Sequence, residues 1–212
     1  MDGLKMFKKF LLASALLVST TVASHAAVIF SDNFNAAPQG LSTTPTGWVA
    51  DYGSVDVIGT GFFDFYPGNG NYIDMNGSTG QSGGIHTANA FNFLAGKTYT
   101  VSFNYGNNAF SAGNGSTETL IADVLGFPGV TINQIGSIVS YLTSGFSFTP
   151  TANFSSALYF KGSGSNDGDN GGIVLDNVSL SVVPVPATFP LLAAGLGVLG
   201  FASRRRRAKS VA

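Results

Sequence analysis

The stretch 97–105, Lys-Thr-Tyr-Thr-Val-Ser-Phe-Asn-Tyr, constrains this chain more than any other. Tyr99, Val101, Phe103 and Tyr105 fall at every second position with Thr, Ser and Asn between them, so an extended strand turns all four rings and branches to one face and the polar groups to the other. A strand of that kind needs a second layer to cover its dry side. Shorter runs of similar character recur at 28–34, 47–51, 55–58, 62–65, 72–75, 84–93, 117–125, 137–148, 156–161 and 173–183, divided by clusters of Gly, Asn, Asp, Ser and Pro. No helix-period run of useful length separates them, and no 20-residue self-similarity marks a solenoid. The pattern predicts an all-β fold, a β-sandwich of jelly-roll type. Composition agrees, with 28 Gly, 18 Phe and 10% charged residues, against about 25% charged in ordinary soluble domains. Without Cys there are no disulfides, thiolate metal sites or Cys nucleophiles.

Within 173–183 the alternation slips. Ile173 and Leu175 share one phase, Val178, Leu180 and Val182 the other. A bulge at Asp176 and Asn177 would return both groups to the core and aim Asp176 at the edge of the sheet.

Charge is segregated along the chain. Residues 27–183 carry Lys97 and Lys161 against ten acids, a net −8, while Lys5, Lys8 and Lys9 lie before them and Arg204, Arg205, Arg206, Arg207 and Lys209 after. So acidic a middle repels phosphate backbones, which excludes nucleic acid as a partner. The first 26 residues read as a secretory signal peptide: a Lys-bearing start, an apolar run 10–18, and Ser24-His25-Ala26 as a small-x-small cleavage site. An uncleaved membrane anchor is the other reading of the same run.

The last part, 184–212, has three pieces in order: the proline motif Val183-Pro184-Val185-Pro186-Ala187, an apolar run to residue 202, and Arg204 to Arg207. Residues 187–202 make about 24 Å of helix, a little short of a ~30 Å hydrocarbon core, a gap that snorkelling arginines and local thinning close. The expectation is a single transmembrane helix with the arginines as its cytoplasmic anchor and the acidic middle exported to the far side. Together these pieces resemble the PEP-CTERM class of bacterial sorting signals, in the two-proline variant written VPLPA, with Val185 where that variant commonly has Leu. The resemblance implies that a membrane-embedded exosortase-type transpeptidase recognises the proline motif and removes the tail. An ordinary tail anchor is the alternative.

Gly172-Ile173-Val174-Leu175-Asp176-Asn177-Val178-Ser179-Leu180 also resembles the closing strand of galactose-binding-like jelly rolls and related carbohydrate-binding modules. In those folds the Asp-Asn pair lies beside a structural calcium whose other ligands sit near the opening strand. The resemblance therefore implies a calcium site drawing on Asp176, Asp32 and Asn35, with Asn35 standing where the pattern commonly has Glu. A second oxygen-rich cluster, 166–171, offers Asp167 and Asp169 to calcium, and reads equally as a soluble hairpin turn.

Aromatic residues gather between 48 and 72. Phe63, Phe65 and Trp48 are expected in the core, leaving Tyr52, Tyr66 and Tyr72 as exposed candidates for stacking on sugar rings. Enzyme chemistry has little to work with: one His in the middle segment, His86, expected as a solvated strand position, one Glu, Glu118, and no recognisable nucleophile motif. The sequence thus points to a non-enzymatic exported protein of the cell envelope or extracellular matrix, associated with exopolysaccharide or binding carbohydrate. A secreted glycan-acting hydrolase using two Asp carboxylates, or a structural matrix subunit without a ligand, are the alternatives.

Overall fold

The computed structural model describes residues 26–79, 81–107, 117–135, 140–163 and 171–183, and every regular element among them is a strand. In chain order these are β1 (Ala27–Asp32), β2 (Trp48–Tyr52), β3 (Asp56–Gly59), β4 (Asn71–Asp74), β5 (Asn76–Gly77), β6 (Gln81–Ser82), β7 (Gly84–Thr87) and β8 (Phe91–Phe93). They continue with β9 (Thr98–Asn107), β10 (Thr117–Val124), β11 (Phe127–Ile135), β12 (Leu142–Phe148), β13 (Phe154–Ser156), β14 (Leu158–Ser163) and β15 (Ile173–Val183). One sheet has six strands in the order β12-β9-β15-β4-β3 with β1 beside β15, and a second has five in the order β11-β10-β14-β7-β2. Pairing is antiparallel throughout. The fold is the expected all-β jelly-roll sandwich, and its unit runs from Ala26 to Pro184. The expected signal peptide and transmembrane helix lie outside the described residues.

Alternation decides which side chains meet. Tyr99, Val101 and Phe103 of β9 face inward with Ile73, Leu175 and Leu180, against Ile85, Leu120, Ala122, Leu158 and Phe160 of the second sheet. Trp48 sits between the sheets as expected, its ring 5.9 Å from Phe160, 5.5 Å from Phe34 and 6.0 Å from Phe30. Its indole N–H donates to Asp32 Oδ2 at 2.8 Å, so the one polar atom of the ring is satisfied. Each such buried ring contributes about 1.5–3 kcal/mol.

The bulge in β15 is present, with the register to β9 shifting between Asp176 and Ser179. Asn177 takes φ 49°, the left-handed region that Asn tolerates better than most residues. Ile173, Leu175, Val178 and Leu180 are all buried in consequence. The strand also changes neighbour there, from β4 beside Val174 and Leu175 to β1 beside residues 178–182. The expected position of Asp176 at a sheet edge is corrected: β15 is flanked on both sides, and Asp176 is completely buried.

Other expectations also change. Residues 62–65 form no strand, because Phe62 closes a tight two-way bridge with Gly59 (2.8 and 2.7 Å) and Phe63 adopts φ 50°. That backbone swings Phe63 outward, 50% exposed, rather than into the core. The run 84–93 breaks into β7 and β8 where the Ala88 N–H turns to Gly47 O. Of 137–148 the strand is Leu142–Phe148. Strand β11 was hidden by Pro128 and Gly129, which its place at a sheet edge accommodates.

Replacing Asn177 by Val puts a β-branched residue at positive φ and is expected to cost about 1–2 kcal/mol, whereas Asn177→Gly keeps nearly full stability. Urea unfolding midpoints measure both, and equal midpoints would show that the bulge carries no conformational demand.

Candidate functional site

The outer face of the five-stranded sheet gathers rings and charges from strands far apart in sequence. Ile85, Phe160 and Ala122 point into the core, so their neighbours His86, Tyr159 and Asp123 point out. Register aligns Val49, His86, Tyr159 and Asp123 in one row across β2, β7, β14 and β10. The His86 and Tyr159 rings lie 5.2 Å apart at 32°. His86 Nδ1 is 2.7 Å from Asp51 Oδ1, and Lys161 donates to Asp123 Oδ2 at 3.3 Å while its Nζ stands 5.6 Å from the Tyr159 ring centre. Both basic groups of this face thus already hold a carboxylate.

A register shift between Ala50 and Tyr52 turns Tyr52 onto the same face, where it pairs with Gly84. Its ring lies across that glycine: a Cβ on Gly84 would collide with Tyr52 Cε1. The hydroxyl donates to Gly162 O at 3.2 Å, and Tyr52 remains 47% exposed. Burial raises its pKa above the ordinary tyrosine value, opposed by Lys161 and reinforced by Asp51, so it stays a donor. The result is two phenol rings and an imidazole on a sheet, flanked by carboxylate acceptors and an ammonium donor. Such a surface can stack on the apolar face of a sugar and hydrogen-bond its hydroxyls. Sequence reasoning placed Tyr52 among ligand candidates and set His86 down as a solvated position, whereas His86 is half-buried and held by Asp51. It singled out neither Tyr159 nor Lys161 for the site, nor Asp51 or Asp123. The alternation in 158–161 marks Tyr159 and Lys161 as outward, but only register shows what they join.

The outer face of the six-stranded sheet is covered over β3 and β4, while Thr143 and Ser147 on β12 stay exposed. Tyr72 is 0% exposed and Tyr66 is buried with it, so both are corrected from ligand candidates to core of a second cluster with Ile58 and Val174. Tyr66 donates to Asn107 O at 2.6 Å, stacks on Tyr141 at 4.5 Å, and fits because Gly106 has no Cβ beneath its hydroxyl. Tyr72 receives the Phe65 and Tyr66 N–H groups at 2.5 and 3.2 Å, strapping that loop to the sheet. Burial pushes Tyr66 up to about 12 and raises Tyr72 and Tyr141 as well, so all three stay protonated. Beside them a hollow of about 140 Å³ is bordered by Leu41, Phe63, Phe65, Asp56 and Asp74.

The residues expected at a calcium site come together in part. Asp176 and Asp32 are close enough that the Asp32 charge adds to burial in raising Asp176 to about 7. A cavity of about 430 Å³ opens between Ser31, Asp32, Asn33, Asn177, Val178 and Ser179. Asn35 is turned away, its Oδ1 accepting the Asn71 N–H at 2.7 Å. Among the described residues no group of three or more His, Cys, Asp or Glu could hold a metal, and Asp167 and Asp169 lie outside them.

Residues 182–207 match the PEP-CTERM protein-sorting motif. The tail therefore carries the signal of an exported, membrane-transiting protein. The motif begins inside the sheet, since Val182 pairs with Ala27 and Val183 with Thr98, while Pro184 to Ala187 and Arg204 to Arg207 lie outside the described residues. Comparison with curated protein sequences returns no match. Among solved structures the chain is similar to the CBM22-1 xylan-binding domain of Paenibacillus barcinonensis Xyn10C, at 15% identity and TM-score 0.46, covering 77% of this chain and 99% of that one. It is also similar to a CBM35 from Paenibacillus barcinonensis, at 21% identity and TM-score 0.39, covering 64% and 92% respectively. A third likeness is to TmCBM61 in complex with β-1,4-galactotriose, at 12% identity and TM-score 0.37, over 64% and 88%.

The buried carboxyl of Asp176 gives a pH signature. Its folded pKa, about 7, exceeds that of an unfolded Asp, so the folded state binds the extra proton between these values. In chelator-containing buffer, stability from this group is greatest below about pH 4 and falls as pH rises toward 7. Asp176→Asn removes that part of the slope, as followed by thermal unfolding across the range.

Proposed function

We propose that this chain is an exported, non-catalytic, glycan-associated protein of the cell envelope or extracellular matrix, whose tail is processed by an exosortase-type transpeptidase and whose sandwich holds polysaccharide on the face carrying Tyr52, His86 and Tyr159. The sorting motif at 182–207 supports the export and processing. The row of rings with carboxylates and an ammonium between them supports the glycan role, because pyranose recognition pairs C–H stacking with hydroxyl hydrogen bonds. A net −8 over residues 27–183 suits a soluble exterior surface beside exopolysaccharide.

Calcium enters the same proposal. Two carboxylates repelling each other, with Asn177 and Ser31 beside them, are hard oxygen donors of the type Ca²⁺ takes. Asp32 and Asp176 would hold the ion, and Asn35, committed to Asn71, would not. Bound Ca²⁺ would neutralise the pair and clamp the opening strand to the closing one.

Two experiments test these statements. Incubated with a polysaccharide panel, the full-length protein should bind without releasing reducing ends. Tyr159→Ala and Tyr52→Ala should each weaken binding about tenfold, and Gly84→Ala should mimic Tyr52→Ala by displacing its ring. Released sugar ends would overturn the non-catalytic reading, and unchanged affinity in all three variants would move the site elsewhere. For the ion, Ca²⁺ at 100 times its dissociation constant should add about 2.7 kcal/mol over chelator at pH 7. Asp32→Asn and Asp176→Asn should abolish this gain and Asn35→Ala should keep it.

A further inference from the structure

The end of the sandwich from which the tail departs differs from the rest of its surface. Ala27, at the start of β1, pairs with Val182, and Val183 pairs with Thr98, so the first residues of the domain, its last residues and the start of β9 lie together. The turn before β9 joins them, with the Gly96 N–H on Pro150 O at 2.8 Å and the Leu94 N–H on the Tyr99 hydroxyl at 2.8 Å. The turn after β10 lies at the same end. Phe127 follows it and packs 4.9 Å from Phe148, the register partner of Tyr99, and Leu125 donates its N–H to Ser156 Oγ at 3.2 Å.

Of ten large apolar or aromatic side chains exposed among the described residues, five belong to this end: Val28, Ile29, Leu94, Leu125 and Val183. Leu125 is 69% and Val28 65% exposed, the two most exposed of the ten. Charge is as uneven as hydropathy. The segments 27–30, 94–97, 125–126, 149–153 and 181–183 contain no Asp or Glu, although 27–183 holds ten acids. Their one charged residue is Lys97, fully outside any ion pair shown, whereas Lys161 is taken by Asp123. Apolar side chains with a lone cation and no acid form a surface suited to an anionic or zwitterionic lipid interface.

Chain length fixes what this end can reach. Ala187, where the apolar run begins, is four residue steps beyond Val183, which in extended polyproline form would span about 12 Å. The polar headgroup layer on one side of a bilayer is about 5–7 Å thick. If the tail spans a bilayer, a tether of that length leaves this end within reach of the headgroup layer. We propose that the apolar end formed by Val28, Ile29, Leu94, Leu125 and Val183, with Lys97, docks on the lipid surface while the tail is in place. The domain is then held with its sugar-facing sheet beside the membrane until the tail is removed, and detachment is complete only after processing. This rests on the membrane reading of the tail.

The chain has no cysteine, so single-cysteine variants carry one label each. Full-length Val28→Cys, Leu94→Cys and Leu125→Cys, labelled with an environment-sensitive fluorophore, are reconstituted in phosphatidylcholine–phosphatidylglycerol vesicles containing a spin-labelled lipid. Leu142→Cys, at the opposite end of the first sheet, is the reference, and Ala193→Cys reports on the tail. Labels at 28, 94 and 125 should lose about half their emission or more while the one at 142 loses little, since interfacial surfaces sink about 5–10 Å into the headgroup and acyl boundary. Quenching at 193 with no difference between 142 and the three end positions would overturn the docking and leave the tail reading standing. No quenching at 193 would overturn the tail reading, and the docking with it. Lys97→Glu should reduce the quenching at 94 in anionic vesicles and leave that at 193 unchanged.

Discussion

The closing strand holds the molecule together. β15 pairs with β9 along nearly its whole length on one side and with β4 and then β1 on the other, so the opening strand and the mid-chain hairpin of β3 and β4 are brought to one sheet through it. That arrangement requires the bulge. Without the extra residue at Asn177 the apolar set after it would face outward, and the strand would offer the core either Ile173 and Leu175 or Val178 and Leu180, never both pairs. The left-handed backbone at Asn177 is the local cost of burying all four, and burial of Asp176 beside Asp32 is an electrostatic cost. The cation proposed there would offset the latter, which makes the strain of the strand and the chemistry of the cavity two aspects of one constraint.

Both outer faces use the same device, a tyrosine laid over a glycine, with opposite outcomes. Tyr66, carried by the loop that Tyr72 fastens, rests over Gly106 and is buried against Tyr72 and Tyr141, so its hydroxyl serves the backbone and its ring serves packing. Tyr52 rests over Gly84 at an edge strand with nothing strapped above it, and nearly half its surface faces solvent. The difference lies in the connections. The loop between β3 and β4 carries Tyr66 onto the first sheet, where it packs with Tyr72 and Tyr141, whereas Tyr52 on β2 stays 47% exposed.

What was legible in the sequence follows from this. Strict alternation identified β9, and the phase slip within 173–183 located the bulge of β15, because both are consequences of period two within a single strand. Phe63 and Tyr66 lay beyond such reasoning: one is thrown outward by a positive φ in a tight turn, the other is carried by its loop onto the sheet and buried against Tyr72 and Tyr141. The row from Val49 through His86 and Tyr159 to Asp123 spans more than a hundred positions and depends on register in three strand pairs. Each residue looked like an ordinary wet position in its own strand, and the site exists only once the strands are side by side. β11 was lost for a different reason, since Pro128 and Gly129 read as breakers unless the strand is known to be an edge.

The segregation of charge has a structural counterpart that sequence counting does not show. Summed over 27–183 the acids look like a uniform solvating coat, yet they avoid the end where the chain leaves the sheet. Under the proposed docking, acids there would set negative groups against anionic headgroups, and each would oppose the approach of the folded domain. The same end carries Val28 and Leu125 exposed, side chains that gain nothing from facing water. An acidic body with one apolar, acid-free end is what a sheet needs if it must first lie against a bilayer and later stay soluble in a polysaccharide layer. Pairing of Ala27 with Val182 puts the start and the finish of the sandwich at that one end, so the surface proposed to dock on lipid is built from both.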